Sequence, residues 1–405
     1  VKAVCATLDE AGFEAFTVGG GVRDTLLGRA AGDWDVTTSA HPNDVEKLFR
    51  KVLPTGIEHG TVTVMIGRGH NREAIEVTAF RGEGDYTDGR RPDTVHFGVP
   101  LDEDLARRDF VINAIAYDPV AGRIHDSMGG VDDLERRVIR AVGEPERRFA
   151  EDGLRIMRAV RFAATLEFEL EAATEAAIPG GIPSLEKVSR ERVHVEMSKL
   201  MAAPRPSLGL RVAIRTGVIA SILPELAVRP DSAWPAVLDL VDRADRDPVL
   251  RHTVLMLGGD PQLRPSPEQV ETACRRLKWS NDDRRRAAKL ARFARPELWR
   301  GLSESELRRQ LAAVDRASIG DLLAALEVLG PDPCAAIRVV AERGDALAIA
   351  ELAIAGRDLI AELGVQPGPQ VGEILRTLLD EVLAEPGHNR REWLLQRARR
   401  ELDPG

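Results

Sequence analysis

Asp33-Trp34-Asp35 sets two carboxylates at i and i+2, thirteen residues after the pair Gly19-Gly20. On a strand, i and i+2 point to the same side. Two carboxylates so placed can hold hard divalent cations such as Mg²⁺, which take oxygen ligands and commonly bind substrate phosphates as well. The run from Phe16 to Asp24, with glycines at 19, 20 and 21, then Leu26, Leu27, Gly28 and Arg29, reads as a strand, a glycine turn and a short helix. Backbone N–H groups at such a turn can cradle a triphosphate. A triphosphate cradle beside a metal pair is the minimum equipment for in-line attack of a hydroxyl on a nucleotide α-phosphate. Either feature alone is ordinary: a lone Asp-x-Asp is most often a solvated turn, and a lone Gly-Gly a simple turn.

Further along lie groups that could serve the same chemistry. Glu76, on a later β-rich run, offers a third carboxylate, although a strand glutamate is more often a surface residue. Arg107-Arg108-Asp109, followed by Phe110 and Asn113, supplies directional donors suited to hydroxyls and phosphates. Between Arg147 and Arg161 five arginines accompany Glu151 and Asp152, and Phe149, Ile156, Met157, Val160 and Ala164 form an apolar stripe at helical spacing. Asp152 and Arg155, at i and i+3, can form an acid–guanidinium pair. The bland reading is a surface ion pair contributing roughly 0.3–0.5 kcal/mol. Held rigid, the same pair matches the Watson–Crick edges of cytosine and adenine, which both set an amine beside a ring-nitrogen acceptor. Guanine and uracil put a carbonyl where the amine would be, facing the carboxylate.

These segments, in this order and with Val36-Thr37-Thr38-Ser39-Ala40 after the carboxylates, resemble the class II tRNA nucleotidyltransferases, the CCA-adding enzymes, and their bacterial poly(A) polymerase relatives within the DNA polymerase β superfamily. The resemblance implies template-independent addition of C and A, from CTP and ATP, to the 3′ end of tRNA. It implies two Mg²⁺ held by Asp33 and Asp35, with Glu76 as a third catalytic carboxylate. By the same likeness Gly19, Gly20 and Arg23 cradle phosphates, while Arg108, Asp109 and Asn113 lie near sugar and phosphates. Glu151, Asp152 and Arg155 match the family's base reader, Arg158 and Arg161 reach the triphosphate, and Glu191, Arg192 and Glu196 brace the reader. The charged segment from Arg81 to Pro92 matches a specificity-switching loop that relatives adding only CC have shortened or altered; here it is full length. Gly129-Gly130 matches a hinge motif in which Ser127-Met128 replaces the family's Pro-Phe, and Trp34 stands where a smaller apolar residue is usual. The alternatives are an A-adding enzyme, which shares every one of these motifs, a poly(A) polymerase, whose usual pattern is missing around Ile57–Val64, and a catalytically inactive RNA-binding protein.

The surrounding chain must position these residues. Its 405 residues favour roughly two to four domains, and 43% hydrophobic content suffices for packed cores. Thr61–Ile66 and Ala74–Phe80 read as paired strands, joined through a turn at 67–71. Val111–Tyr117 fits helix or strand and is read as helical. From about residue 145 helical spacing dominates, with joints at Pro179–Pro183, Pro204–Pro206, Gly258–Pro261, Pro331–Pro333 and Pro367–Pro369. The expected architecture is an α/β nucleotidyltransferase head followed by an all-α neck, body and tail, multidomain and elongated, with boundaries at 1–138, 139–203, 204–310 and 311–405. A net charge of −9 does not mark a nucleic-acid binder as a whole. The local basic segment at 275–292, with Arg275, Arg276, Lys278, Arg285 and Lys289, is the candidate RNA contact, although such a run is usually a solvated helix face. Cys5, Cys274 and Cys334 have no metal-ligand spacing and read as reduced buried thiols. No apolar run reaches membrane-span length and no signal peptide is visible, so a cytoplasmic protein without membrane or implied protein partner is expected.

Overall fold

Alternating β-branched residues in the first third of the chain build strands that bury their apolar face: Ile75 and Val77 are buried, and Glu76 between them is exposed. The computed structural model describes residues 1–32, 34–67, 72–83 and 95–402, in two units, Val1–Pro224 and Glu225–Gly405. In the first unit, strands β1 (Ala15–Val18), β2 (Asp35–Thr38), β3 (Val52–Gly56), β4 (Thr61–Ile66), β5 (Glu73–Ala79), β8 (Ala116–Asp118) and β9 (Arg123–His125) form a sheet in the order β3-β4-β5-β2-β1-β8-β9. β6 (Arg81–Glu83) and β7 (Val95–Phe97) pair separately. Among the described residues β2 and β5 are the parallel neighbours of the large sheet, and its other pairings are antiparallel. Helix α1 (Lys2–Glu10) sets Val4, Cys5 and Leu8 in one core cluster with Val36, Val62, Val64, Ile75 and Val77. A second cluster joins Val18, Phe80, Val111 and Ala116 to Leu101 and Leu105, which flank or lie on α4 (Leu101–Ala106). Helices α2 (Gly20–Leu26), α3 (Pro42–Leu48) and α5 (Gly130–Arg136) complete the head-like part.

The strands expected at 61–66 and 74–80 pair in the order anticipated, from Thr61↔Thr78 to Ile66↔Glu73. Most of their turn, and residues 84–94 of the segment expected to be a specificity-switching loop, lie outside the described residues. The helical reading of Val111–Tyr117 is corrected. Val111–Asn113 is one 3₁₀ turn, and β8 then pairs with β1 through Thr17↔Tyr117 and Val18↔Ala116. The run is apolar on all sides and buried from Phe110 to Ala116, so its period carries no signal, and the open edge of β1 decides its state. Gly129-Gly130 is a packed turn. Gly129 has φ +78°, and a Cβ on Gly130 would come within 2.6 Å of Ile115 and 2.7 Å of the Val111 carbonyl. The Asp126 carboxylate accepts the Gly130 and Val131 N–H groups at 2.7 and 2.8 Å, fixing the start of α5.

The rest of the first unit is α6 (Pro145–Glu151), α7 (Leu154–Leu166), α8 (Ala172–Ala176), α9 (Ile178–Lys187), α10 (Arg190–Met201), α11 (Pro206–Arg215) and α12 (Val218–Ile222), with one short parallel strand pair, β10 (Val138–Ile139) and β11 (Glu169–Leu170). The joint expected at Pro179–Pro183 is instead helix. Pro179 sits in the first turn of α9, where no N–H is needed. A Cβ on Gly181 would come within 2.8 Å of Phe149 and Ile156, so this glycine lets α9 press on α6 and α7. The apolar stripe of α6 and α7 is buried throughout. The helix breaks at Asp152-Gly153, which the stripe alone does not reveal, because it runs on past the break. In the second unit the described residues hold helices and 3₁₀ turns and no strand. Its longer helices are α13 (Trp234–Arg243), α14 (Pro248–Leu257), α15 (Pro267–Arg276), α16 (Asn281–Phe293), α17 (Glu304–Val314), α18 (Ile319–Leu329), α19 (Cys334–Glu342), α20 (Gly356–Leu363), α21 (Pro369–Ala384) and α22 (Arg391–Leu402). Ser266, Ser280 and Ser303 cap α15, α16 and α17 through their hydroxyls. Among the described residues no helix is long and apolar enough to cross a membrane.

Gly153 marks a very close backbone approach. A Cβ on it would lie 2.2 Å from the Leu185 nitrogen and 2.3 Å from the Ser184 carbonyl carbon. Gly153→Ala is expected to destabilise the chain by about 1–3 kcal/mol, read as a lowered denaturant midpoint. Gly180→Ala, in the same helix pair but with nothing within 4 Å of its Cβ, is expected to leave stability unchanged or raise it by up to about 1 kcal/mol.

Candidate active site

β1 ends at Val18, directly opposite Asp35 in β2. Gly19 then turns with φ +75° and ψ −140°, a conformation that favours glycine, and α2 begins. A Cβ on Gly19 would lie 3.3 Å from Nη1 of Arg108 and 3.5 Å from Oδ2 of Asp35, so the turn leaves a space between a guanidinium and a carboxylate. Asp35 is also in parallel register with Glu76 of β5, which is exposed. Register partners project to the same face of the sheet, so these two carboxylates belong to one face. Asp33 lies outside the described residues. Among the described residues no cluster of three or more His, Cys, Asp or Glu is close enough to hold a metal. The hard oxygen donors of Asp35, beside the space left by Gly19, and of Glu76, its register partner on the same face, are of the type a divalent cation such as Mg²⁺ takes.

That space opens into a cavity of about 620 Å³, walled by Gly19, Gly20, Arg23, Asp35, Arg108, Asp109, Asn113, Arg158 and Arg161. All of these come from the candidates read in the sequence, and they converge from the turn after β1, α2, β2, the segment from Arg108 through the 3₁₀ turn, and α7. Glu76, Asp152 and Arg155 are not among the wall residues. Asp24, Gly32, Phe162, Thr165, Lys199, Ala202 and Ala203 also line it and were missed. Phe162 was legible in principle, since it lies four residues after Arg158 and so on the same helix face.

A chain of hydrogen bonds runs through the wall. Arg23 donates to Asp24 (2.8 Å) and to Oδ1 of Asn113 (2.8 Å), and Asn113 donates to Oδ1 of Asp109 (3.0 Å). Nε of Arg158 donates to Oδ2 of Asp109 at 2.6 Å. Burial pushes the Asp109 carboxyl up, but Arg158, the Asn113 amide and the Phe110 N–H outweigh it and hold the group at about 2. The reciprocal holds for Arg158: burial depresses it, and Asp109, with Glu196 and Asp152 nearby, raises it above the ordinary arginine range. Asp104, fully buried, accepts from Arg107 at 2.8 Å and from Thr37 at 3.0 Å, with Arg108 at 3.6 Å. It thereby fixes the arginine pair against β2. Burial raises Asp104, and Arg107 and Arg108 more than offset this.

The base-reader candidates are held differently from the expected i, i+3 pair. Asp152 sits between α6 and α7 with φ −143°, off the helix. Its Oδ1 accepts the Leu154 N–H at 2.9 Å, and its Oδ2 accepts from Arg192 of α10 at 2.9 Å. Arg155 donates to Glu151 at 2.6 Å, to the Arg148 carbonyl at 3.1 Å and to the Arg107 carbonyl at 3.0 Å. The break at Gly153 is the physical reason, since it turns Asp152 toward α10 and leaves Glu151 one helical turn before Arg155. Arg192, expected only to brace, thus touches the reader directly, and Arg161 pairs with Glu196 at 3.1 Å.

Three family models match the chain: "Poly A polymerase head domain" over residues 15–140, "Probable RNA and SrmB- binding site of polymerase A" over 167–229, and tRNA nucleotidyltransferase domain 2 over 262–398. The CCA-adding enzyme of Lactobacillus helveticus is 39% identical over 388 residues, covering 94% of this chain and 92% of its own. That of Geobacillus stearothermophilus is 38% identical over 410 residues, covering 97% and 95%. The chain belongs to the CCA-adding family of tRNA nucleotidyltransferases. Among solved structures, a CCA-adding enzyme of Bacillus stearothermophilus in complex with CTP superposes with a TM-score of 0.73 at 34% identity, over 100% of this chain and 98% of that one. Members of the family are nucleotidyltransferases, and the α/β head with a helical remainder is their fold.

The basic segment of this CCA-adding family member is largely engaged within its own unit. Arg276 donates two hydrogen bonds to Glu225, at 2.7 and 2.8 Å, Lys289 contacts Asp315, Arg275 pairs with Glu271 at 2.8 Å and Arg285 with Asp282 at 2.5 Å. Lys278 is exposed at a left-handed turn, with φ +59°.

Because Asp109 is depressed from 3.8 to about 2, its contribution to stability is full above its ordinary value and is lost as pH falls toward 2. The protein is expected to lose roughly 2 kcal/mol between pH 4 and pH 2 that the Asp109→Asn variant does not lose. Denaturant unfolding of both proteins at each pH measures the difference.

Proposed function

We propose that this chain is a template-independent tRNA nucleotidyltransferase that adds C, C and A to the 3′ end of tRNA from CTP and ATP, acting in the cytoplasm. The observation that carries this reading is the single cavity in which Asp35 faces an arginine-rich wall, in a member of the CCA-adding family. Asp33, Asp35 and Glu76 would hold Mg²⁺, which when bound lowers the pKa of the RNA 3′-hydroxyl and stabilises the departing pyrophosphate. Gly19 and Gly20 let the backbone approach the phosphates, and Arg23 supplies charge beside them. Arg108, Asp109 and Asn113 place sugar and phosphates, and Arg158 and Arg161 neutralise the triphosphate. Asp152 and Arg155 select C or A by offering a carboxylate to the amine and a guanidinium to the adjacent acceptor. Supporting that role, Arg192 and Glu151 hold the two side chains from either side, so the reader is fixed before a base arrives. Such preorganisation lets a protein surface replace a nucleic-acid template.

On this reading residues 1–138 form the catalytic head, 139–203 the neck with the base reader, and 204–310 and 311–405 a body and tail that bind tRNA through backbone charge and shape. Arg275, Lys278 and Arg285 are the exposed cations placed for RNA phosphates, and Arg276 and Lys289 would have to exchange their present partners to join them.

The deciding experiment supplies labelled CTP and ATP, separately and together, to tRNA transcripts ending at the discriminator base, after one C and after two. CCA addition to the bare end is expected. Addition of A alone to the CC-ended transcript would make this an A-adding enzyme. No incorporation at any end, with tRNA still bound, would leave a non-catalytic RNA-binding protein. In the same assay Asp152→Ala is expected to lower the preference for CTP over UTP by about 10- to 100-fold, the range of one charged hydrogen bond.

A further inference from the structure

Phe162 of α7 lines the cavity and is 4% exposed. Three guanidinium groups gather on its ring: the Cζ atoms of Arg161, Arg23 and Arg158 lie 4.2, 5.0 and 5.3 Å from its centroid. Cations within about 6 Å of an aromatic face are attracted by the ring quadrupole. Arg23 comes from α2 and the other two from α7, so like charges from distant parts of the chain are brought together against their mutual repulsion. Each arginine has a carboxylate of its own at ion-pair distance, Asp24, Asp109 or Glu196. Phe162 is the contact that all three share. Its own position is set from the head, because Phe110 meets it edge-on at 5.8 Å and 87°, and Phe110 directly follows Arg108-Asp109.

We propose that Phe162 is a positioning residue whose electron-rich face gathers Arg23, Arg158 and Arg161 into one array for the phosphate tail of the incoming nucleotide. This rests on the reading of the cavity as a nucleoside triphosphate site. The base is read by Asp152 and Arg155, which contact other partners, so the ring governs phosphate binding and leaves base choice alone. The competing account is a core phenylalanine that only fills volume. Shape and electronics can be separated, since leucine keeps apolar bulk without a ring, and fluorinated phenylalanine keeps the ring shape while draining its face of electron density.

Equilibrium binding of CTP and of CMP is measured on the full chain as wild type, as Phe162→Leu, and with mono-, tri- and pentafluorophenylalanine at position 162. CTP affinity is expected to fall about tenfold in Phe162→Leu, the change that 1.4 kcal/mol produces, and to decline stepwise with fluorination. CMP affinity, and the preference for CTP and ATP over UTP and GTP in incorporation, are expected to hold constant across the series. CTP affinity that is flat across the fluorinated proteins, or CTP and CMP affinities that fall together, would overturn the inference in favour of simple packing. Wild-type protein binding CTP no more tightly than CMP would remove the triphosphate reading of the cavity and this inference with it, a result visible before any variant is made.

Discussion

The part-buried ion pair between Asp109 and Arg158, on the cavity wall, is the constraint on which the first unit depends. A carboxylate taken out of water is costly unless it is paired and fully hydrogen-bonded, and breaking such a pair costs more than never having made it. Asp109 meets the requirement by using both oxygens: Oδ1 accepts the Phe110 N–H and the Asn113 amide, and Oδ2 accepts Arg158. Because Asp109 belongs to the segment next to the sheet and Arg158 to α7, α7 takes the position that satisfies this charge. Through Asn113 the same requirement reaches Arg23, and through Arg23 it reaches the start of α2. The Arg155 contact with the Arg107 carbonyl and the Arg29 contact with the Thr165 carbonyl reinforce the same seam.

On the proposed reading, the cavity resolves a conflict that any polyanion site faces. It must concentrate positive charge without unfolding under its own repulsion. The chain answers with an acid beside each of Arg23, Arg158 and Arg161, namely Asp24, Asp109 and Glu196, which offsets the repulsion among the gathered guanidinium groups. Arg108 illustrates the margin. Burial depresses it, and Asp104 and Asp35 pull it back up. An arriving phosphate would complete that balance. This is why a chain with a net charge of −9 can carry a site for anions: the field that matters is that of the wall, and net charge averages it away.

Much of this was legible where the signal is local. The period-two runs at 61–66 and 73–79 are strands, the Gly19 turn and the carboxylate at Asp35 adjoin, and Arg158 and Arg161 of α7 face the same cavity as Arg108 and Asn113. What failed did so for identifiable reasons. Val111–Tyr117 is buried on every side, so neither period shows. Pro179 and Pro183 look like punctuation, yet the first stands where a helix needs no N–H. The spacing of Asp152 and Arg155 promises a pair only if the helix is continuous. Gly153 interrupts it because the backbone of α9 passes too close for any side chain, and nothing near residue 153 in the sequence announces residue 185. Long-range pairings such as Arg192 with Asp152 have no signature in spacing at all.

Arginine content in the second unit misleads for the same reason. Arg229, Arg251 and Arg308 are each at most 6% exposed. Arg229 donates to the carbonyls of Leu255, Met256 and Gly258 at the end of α14, Arg251 to Ala244 just past α13, and Arg308 to Leu383 and Ala384 at the end of α21. Helix C-termini leave carbonyls without partners and carry partial negative charge, so a buried guanidinium with several donors in a fixed fork can satisfy them in one step. Burial depresses Arg229 to about 10, so it remains charged at neutral pH even without a carboxylate. Such arginines are scaffolding. Others, such as Arg286 between Asp247 and Asp321, tie helices together through acids remote in sequence. Pairs whose partners lie one helical turn away on an exposed surface are a different case, because they are worth little and exchange readily for another anion. Arg275 and Arg285 are of that kind, whereas Arg276, held by both oxygens of Glu225, is not.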